Sequence, residues 1–241
     1  VSHGMPDWGH LRKKTVYALS DMSELAVRLG SVVEYDRRGD VFYISNFNEG
    51  LGVWLGAGNV PGRIEFNQDY SKSGGISLKV FTTKTVANVW GLQAFLVPNH
   101  VTVLGLETSF TFNSDMGNII FRIQVEDDTD IYYYWVKLDT VNKKIYTADS
   151  SSTWVEFQTG VSLMAGINVW HTLKLVIDAE SKTFQRLLLD RFEYDLTAIA
   201  PYSTAIGANN QVYYGLDFYP KSTTQAEAFI DNIILTQNEP I

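Results

Sequence analysis

The stretch Ile119-Ile120-Phe121-Arg122-Ile123-Gln124-Val125-Glu126 decides the fold class. Its odd positions are wholly apolar and its even positions turn polar, which is the period of a strand with one face in a core. The same alternation runs through His171, Leu173, Leu175 and Ile177 against Thr172, Lys174, Val176 and Asp178. It returns in Tyr132, Tyr134, Val136 and Leu138, and again in Val212, Tyr214, Leu216 and Phe218. Working outward, strands are expected at 41–44, 76–81, 89–97, 101–112, 118–126, 131–138, 144–147, 153–158, 169–177, 183–190, 211–219 and 226–236. Gly, Asn, Asp, Ser and Pro fill the gaps, and no helical period interrupts the series. Roughly a dozen strands joined by short turns predict an all-β, two-sheet antiparallel jelly-roll sandwich over residues 40–241.

Residues 1–39 read differently, as an N-terminal arm. Ser20 or Asp21 can cap a short helix, Glu24 follows Asp21 at capping-box spacing, and Gly30 suits its C-terminal end. Met22, Leu25, Ala26 and Leu29 form one apolar stripe. A helix this short must dock, either on its own sandwich or on a neighbouring subunit or carrier.

Composition narrows the classes. Hydrophobic residues make up 45% of the 241 and charged residues 19%, which excludes intrinsic disorder. The net charge of −8 argues against nucleic acid as a partner. There is no cysteine, so there is no disulfide, thiolate metal site or thiol nucleophile. No run approaches the ~18 apolar residues of a membrane span, and the opening VSHGMPDWGHLRKK lacks the apolar core of a signal peptide.

Two strands carry aromatic residues on the face turned away from the core. Tyr133, Trp135 and Lys137 oppose the apolar face of 131–138, and Tyr213, Asp217 and Tyr219 oppose that of 211–219. Aromatic rings contact the C–H face of a sugar while polar neighbours pair with its hydroxyls. Tyr133, Trp135, Tyr213, Asp217 and Tyr219 are therefore the candidate glycan-binding residues. Strands also favour aromatics for their own sake, so packing under a loop is the competing reading.

Several segments resemble the concanavalin A-like lectin/glucanase jelly rolls, laminin G-like modules included. Phe47 to Trp54 is similar to their opening F-x-x-G-x-x-x-W, and Ser73 to Val80 to their S-G-x-x-S-L-x-V. Trp170-His171-Thr172-Leu173 with Leu187-Leu188-Leu189-Asp190 resembles their W-H-x-L and L-x-x-D hairpin. Ala228-Phe229-Ile230-Asp231-Asn232-Ile233-Ile234-Leu235 is similar to their last strand. The resemblance covers about residues 40–238 and speaks for fold before function. Such sandwiches often hold a structural calcium between first and last strands, which implies Asn48, Glu49 and Asp231 as ligand positions. More weakly, Lys14–Leu19 and Tyr35–Asp40 resemble the lead-in of tailed-phage structural proteins.

The chemistry of sites is sparse. Glycoside hydrolases of this fold use E-x-D-x-x-E, but Glu126-Asp127-Asp128-Thr129-Asp130-Ile131 ends in isoleucine, and Glu193-Tyr194-Asp195 meets Ala198 at the third position. The arginine-rich, Gln-x-His and Tyr-Lys strand motifs of this fold's polysaccharide lyases are not recognisable either. His3, His10, His100 and His171 have no metal-ligand spacing and read as structural. Asp127, Asp128 and Asp130 form the densest acidic cluster, a candidate calcium loop or a solvated hairpin tip.

The expectation is thus a non-enzymatic jelly-roll protein on a particle surface, such as a phage virion, or at a cell surface or outside the cell. Its arm would bind other virion or lattice subunits or a second copy in a homo-oligomer. Its aromatic face would touch host glycans. A free carbohydrate-binding module is the alternative, and a diverged glycosidase acting through Glu126 or Asp128 the third. Neither nucleic acid nor membrane is an expected partner.

Overall fold

The computed structural model describes residues 36, 38–58, 63–72, 75–82, 90–96, 102–149, 151, 153–205, 211–222 and 224–241. The chain divides into two compact units, Val1–Asp36 and Arg37–Ile241. The expected helix at 20–30, and the arm up to residue 35, lie outside the described residues, as do His3, His10 and His100.

In chain order the strands are β1 (Asp40–Ser45), β2 (Leu55–Gly58), β3 (Arg63–Asn67), β4 (Ser77–Phe81), β5 (Trp90–Phe95), β6 (Val103–Phe112), β7 (Met116–Glu126) and β8 (Asp130–Asp139). They continue as β9 (Lys144–Ala148), β10 (Trp154–Thr159), β11 (His171–Asp178), β12 (Thr183–Leu189), β13 (Phe192–Asp195), β14 (Tyr202–Ala205), β15 (Gln211–Pro220) and β16 (Glu227–Gln237). No helix occurs among the described residues. One sheet runs β13-β12-β11-β6-β16-β4-β3 with β1 also on β16; the other runs β10-β9-β8-β7-β15-β5-β2 with β14 also on β8. Every pairing is antiparallel. The fold is an all-β sandwich of two antiparallel sheets, as the sequence predicts. β16 serves two neighbours along one edge, β4 on residues 227–230 and β1 on 233–237, with an irregularity between Asp231 and Ile234 where Asn232 takes a φ of +54°.

The apolar registers read from the sequence meet between the sheets. Ile119, Phe121, Ile123 and Val125 pack with Tyr134, Val136 and Leu138, and with Leu173, Leu175 and Ile177 of the facing sheet, all within one buried cluster. Each such side chain contributes about 1.5–3 kcal/mol on leaving water. The alternation predicts solvent on the other face, but β6 is buried at all ten positions. Its outward Glu107 is covered where Lys174 of β11 bonds Glu239, 2.6 Å away, and the Arg38 carbonyl, 2.9 Å away. Arg186 of β12 holds the other Glu239 oxygen at 2.6 Å and the Pro240 carbonyl at 2.5 Å. The C-terminal residues and the stretch entering β1 thus cover this sheet's outer face around Glu107, Lys174 and Arg186.

Aspartates close the hairpins. Asp127 accepts from the N–H groups of Thr129 and Asp130, Asp139 from Val141 and Asn142, Asp149 from Ser151 and Thr153, and Asp178 from Glu180 and Ser181. A carboxylate bonding the backbone two to four residues on imitates a turn of main chain.

Candidate glycan-binding cleft

The outer face of the second sheet is open. Strand register sets its side chains in rows across the strands. One row runs Tyr146 (β9), Lys137 (β8), Ile120 (β7), Asp217 (β15) and Gly91 (β5). The next runs Trp135 (β8), Arg122 (β7), Gly215 (β15) and Gln93 (β5). Asn118 and Tyr219 stand opposite each other beyond the first row, and Trp154 rises from β10. Asn118, Ile120, Arg122, Trp135, Lys137, Trp154, Asp217 and Tyr219 line a cleft of about 320 Å³.

Arg122 is its central cation. Its guanidinium pairs with the buried Asp217 carboxylate and lies 5.5 Å from the Trp135 ring and 5.7 Å from Tyr213. Gly215 makes room for this packing, because a Cβ there would come within 2.8 Å of the Tyr213 ring. A Cβ at Gly91 would run into the Leu216 carbonyl and the Asp217 carboxylate. Arg122 Nε and Trp135 Nε1 are buried without an acceptor among the described residues. Such donors cost about 1–3 kcal/mol each when left unpaired.

Lys137 is held differently. Its Nζ stands 4.2 Å from the Tyr146 ring and 4.5 Å from Trp154, and among the described residues it has no carboxylate partner. Burial lowers its pKa, with Asp139 opposing weakly. Burial raises the pKa of Tyr219, with Arg122 opposing, so its hydroxyl stays protonated.

Of the residues expected from sequence, Trp135, Asp217 and Tyr219 line the cleft together. Tyr133 sits beside it, edge-on to Trp135 at 5.0 Å and stacked on Tyr202 at 5.0 Å. Tyr213 does not line the cleft: it is buried beside Arg122, its hydroxyl donating to Gln93 and its ring edge-on to Phe95. Asn118, Arg122 and Trp154 were not singled out by the sequence, and Lys137 only as a neighbour on the outward face. The outward register of 118–126 and 131–138 carried the signal for Asn118, Arg122 and Lys137, but Trp154 heads a short edge strand and carried none.

The candidate calcium ligands fall in two places. Asp127, Asp128 and Asp130 occupy the β7–β8 hairpin. Asp127 is turned inward to cap the turn, bonded also by the Thr129 hydroxyl and by Lys182 at 3.2 Å. The N–H groups of Thr129 and Asp130 hold its pKa far below the usual carboxylate range. At the second place, Asn48 Oδ1 accepts from the N–H of Ile76, and Asp231 Oδ2 from the Ser71 hydroxyl and the Lys72 N–H, while Glu49 is exposed. Among the described residues no three His, Cys, Asp or Glu side chains converge as a metal site would need. Asp127 bonds backbone and Lys182, while Asp130 accepts from the Thr129 and Tyr132 hydroxyls. Glu126 is capped on both oxygens by Gln124 and Gln211, and Glu193 by Arg38.

No family model and no curated protein matches the chain. Solved structures do share its fold. An endo-β-1,4-glucuronan lyase from the fungus Trichoderma reesei is 12% identical with a TM-score of 0.59, over 83% of this chain and 96% of that one. The alginate lyase vAL-1 from Chlorella virus is 11% identical with a TM-score of 0.56, over 82% and 100%. The carbohydrate esterase vb_24B_21 from Shiga toxin-encoding bacteriophage phi24B is 14% identical with a TM-score of 0.53, over 83% and 100%. The expectation of a non-enzymatic chain is corrected by these likenesses. It rested on missing hydrolase and lyase motifs, and this sandwich supports lyases and an esterase, so a missing carboxylate motif does not separate enzymes from non-enzymes on it.

Proposed function

We propose that the cleft binds a polysaccharide bearing uronate carboxylates and cleaves it by β-elimination. The observation that carries this reading is Lys137, a cation in an aromatic cradle, without a carboxylate partner among the described residues and made less basic by burial. Trp135 and Trp154 offer rings to the sugar faces. Arg122 and Asn118 line the cleft as polar partners for the carboxylate, which acidifies the carbon beside it. The unprotonated form of Lys137, which burial favours, takes the proton from that carbon, the electron pair forms a carbon–carbon double bond, and the bond to the leaving glycosidic oxygen breaks. Tyr219, kept protonated, gives that oxygen its proton. The glucuronan and alginate lyases of the same fold support this choice of substrate.

Incubation of the full chain with glucuronan, alginate and a neutral β-glucan tests it. Saturable binding to an acidic polymer and growth of the near-ultraviolet absorbance of the new double bond are expected. Lys137→Met should lower turnover by about 10²–10⁴-fold. Equal binding of neutral and acidic polymers, or turnover unchanged in Lys137→Met, would overturn the reading; binding with no absorbance would remove the elimination step. A phage setting draws on the phage esterase's shared fold and on the arm at 1–39. Deleting 1–36, which spares Arg38 and its bond to Lys174, should abolish attachment to a particle while the sandwich stays folded.

A further inference from the structure

His171 opens β11 far from any role in the cleft. It is buried against Phe110 and Phe112, with ring centroids 5.7 and 5.9 Å away. Its Nδ1 lies 2.8 Å from Asp190 Oδ2 and its Nε2 lies 3.1 Å from the Met164 carbonyl oxygen. A carboxylate oxygen and a carbonyl oxygen at these positions both need a donor. Neutral imidazole has one N–H and serves one of them; imidazolium has two and serves both.

Both partners are placed by the backbone. Asp190 sits at φ +53° in the turn after β12, its Oδ1 accepting from the Thr172 N–H and its own N–H donating to the Thr172 carbonyl. Met164 lies in the segment 160–170, which leaves β10 and crosses to β11 in the other sheet. A second anchor of that segment is Gly166, bonded through its N–H to the Phe112 carbonyl and through its carbonyl to the Thr111 hydroxyl. Between the anchors of that segment and β10, the Met164 side chain stands 67% exposed.

We propose that His171 is a proton-dependent latch, which as imidazolium ties the 160–170 segment to the β12–β13 turn and on losing its proton lets the Met164 end go. Three other charged or titratable groups bear on it: Asp190 from the turn, Lys72 from the segment between β3 and β4, and Tyr194 of β13 through Asp190. Burial is the largest influence on His171 and works to lower its pKa. The Asp190 carboxylate and the Met164 carbonyl outweigh burial and the opposing charge of Lys72, so the pKa is raised. Asp190 is likewise pushed up by burial but brought lower overall by His171, the Thr172 N–H and Lys72. A raised histidine contributes stability fully below its unfolded pKa of about 6.5 and loses it as pH rises through the folded value. A depressed aspartate contributes above about 3.9 and loses it as pH falls through its folded value. The latch is therefore strongest between about pH 4 and 6.5.

Nuclear magnetic resonance of the full chain, with histidine ring nitrogens and methionine methyls labelled, tests this. At about pH 5.5 both ring nitrogens of His171 should carry protons, and its titration midpoint should lie above the ordinary value of about 6.5. The Met164 methyl resonance should move with the same midpoint. Asp190→Asn should lower both midpoints together by about one unit or more, and His171→Gln should abolish the Met164 titration. A singly protonated His171 ring at about pH 5.5, or a Met164 methyl indifferent to the His171 titration, would overturn the latch. Should His171→Gln fail to fold, the wild-type and Asp190→Asn titrations decide alone.

Discussion

The two outer faces of the sandwich start from the same raw material and end differently. On the sheet built around β6, Lys174, Arg186 and Glu239 are buried and paired at 2.6 Å under the chain's own C-terminal residues. On the sheet built around β7, Arg122, Trp135 and Lys137 line an open cleft. Both faces arise from polar residues at alternate strand positions. What separates them is cover. A charge network roofed by its own chain holds structure, whereas one that lines an open cleft is available to a ligand.

Mutating each face in turn breaks or sharpens that contrast. The largest effect is expected on the roofed side. Lys174→Met leaves Glu239 and Glu107 with one cation fewer in a buried site and should cost about 3–5 kcal/mol in urea unfolding, against under about 1 kcal/mol for Lys137→Met on the open side. Equal losses would erase the distinction. Next comes Trp135→Ala, which should weaken binding of an acidic polysaccharide by about 1–3 kcal/mol in calorimetric titration. Unchanged affinity would remove this face as the binding surface. The smallest effect belongs to the hairpin tip, a region with neither roof nor cleft. Asp127→Asn should lower Tm by no more than about 4 °C. Because the Asp127 pKa is depressed, its contribution is present above about pH 3.9 and fades as pH falls through the folded value. The gap in Tm between wild type and Asp127→Asn should therefore close in acid, and a gap that widens there would count against the turn-capping role.

Much of the fold was legible because strand period is a local property. The alternation in 119–125, 132–138 and 212–218 named the inward residues Phe121, Tyr134 and Tyr214, each buried in the core. The unread strands are β2, β3, β13 and β14, of four or five residues each. So short a segment shows barely two repeats of its period, and it is a strand only because a longer neighbour offers hydrogen bonds. The cleft was legible in part for a related reason. Trp135 and Tyr219 declare themselves as aromatics on an outward register, but Trp154, Lys137 and Arg122 come together only once β10, β8 and β7 are aligned. The Asp127–Asp130 cluster was legible as acidic density in the sequence, and only the folded hairpin shows Asp127 accepting from the backbone of its own turn.

Sequence by itself determined what depends on neighbours along the chain: which residues alternate, where aspartates close turns, and which pair of segments forms the His171 and Asp190 hairpin. Tertiary structure alone decided what depends on residues far apart. It chose which polar face is covered by Glu239 and which stays open, and it brought Lys137 between Tyr146 and Trp154. It also placed His171 between Asp190 and the Met164 carbonyl. The physical reason is that the backbone period acts within a few residues, whereas burial, pairing of charges and proton affinity are set by whatever the folded chain brings within a few ångströms.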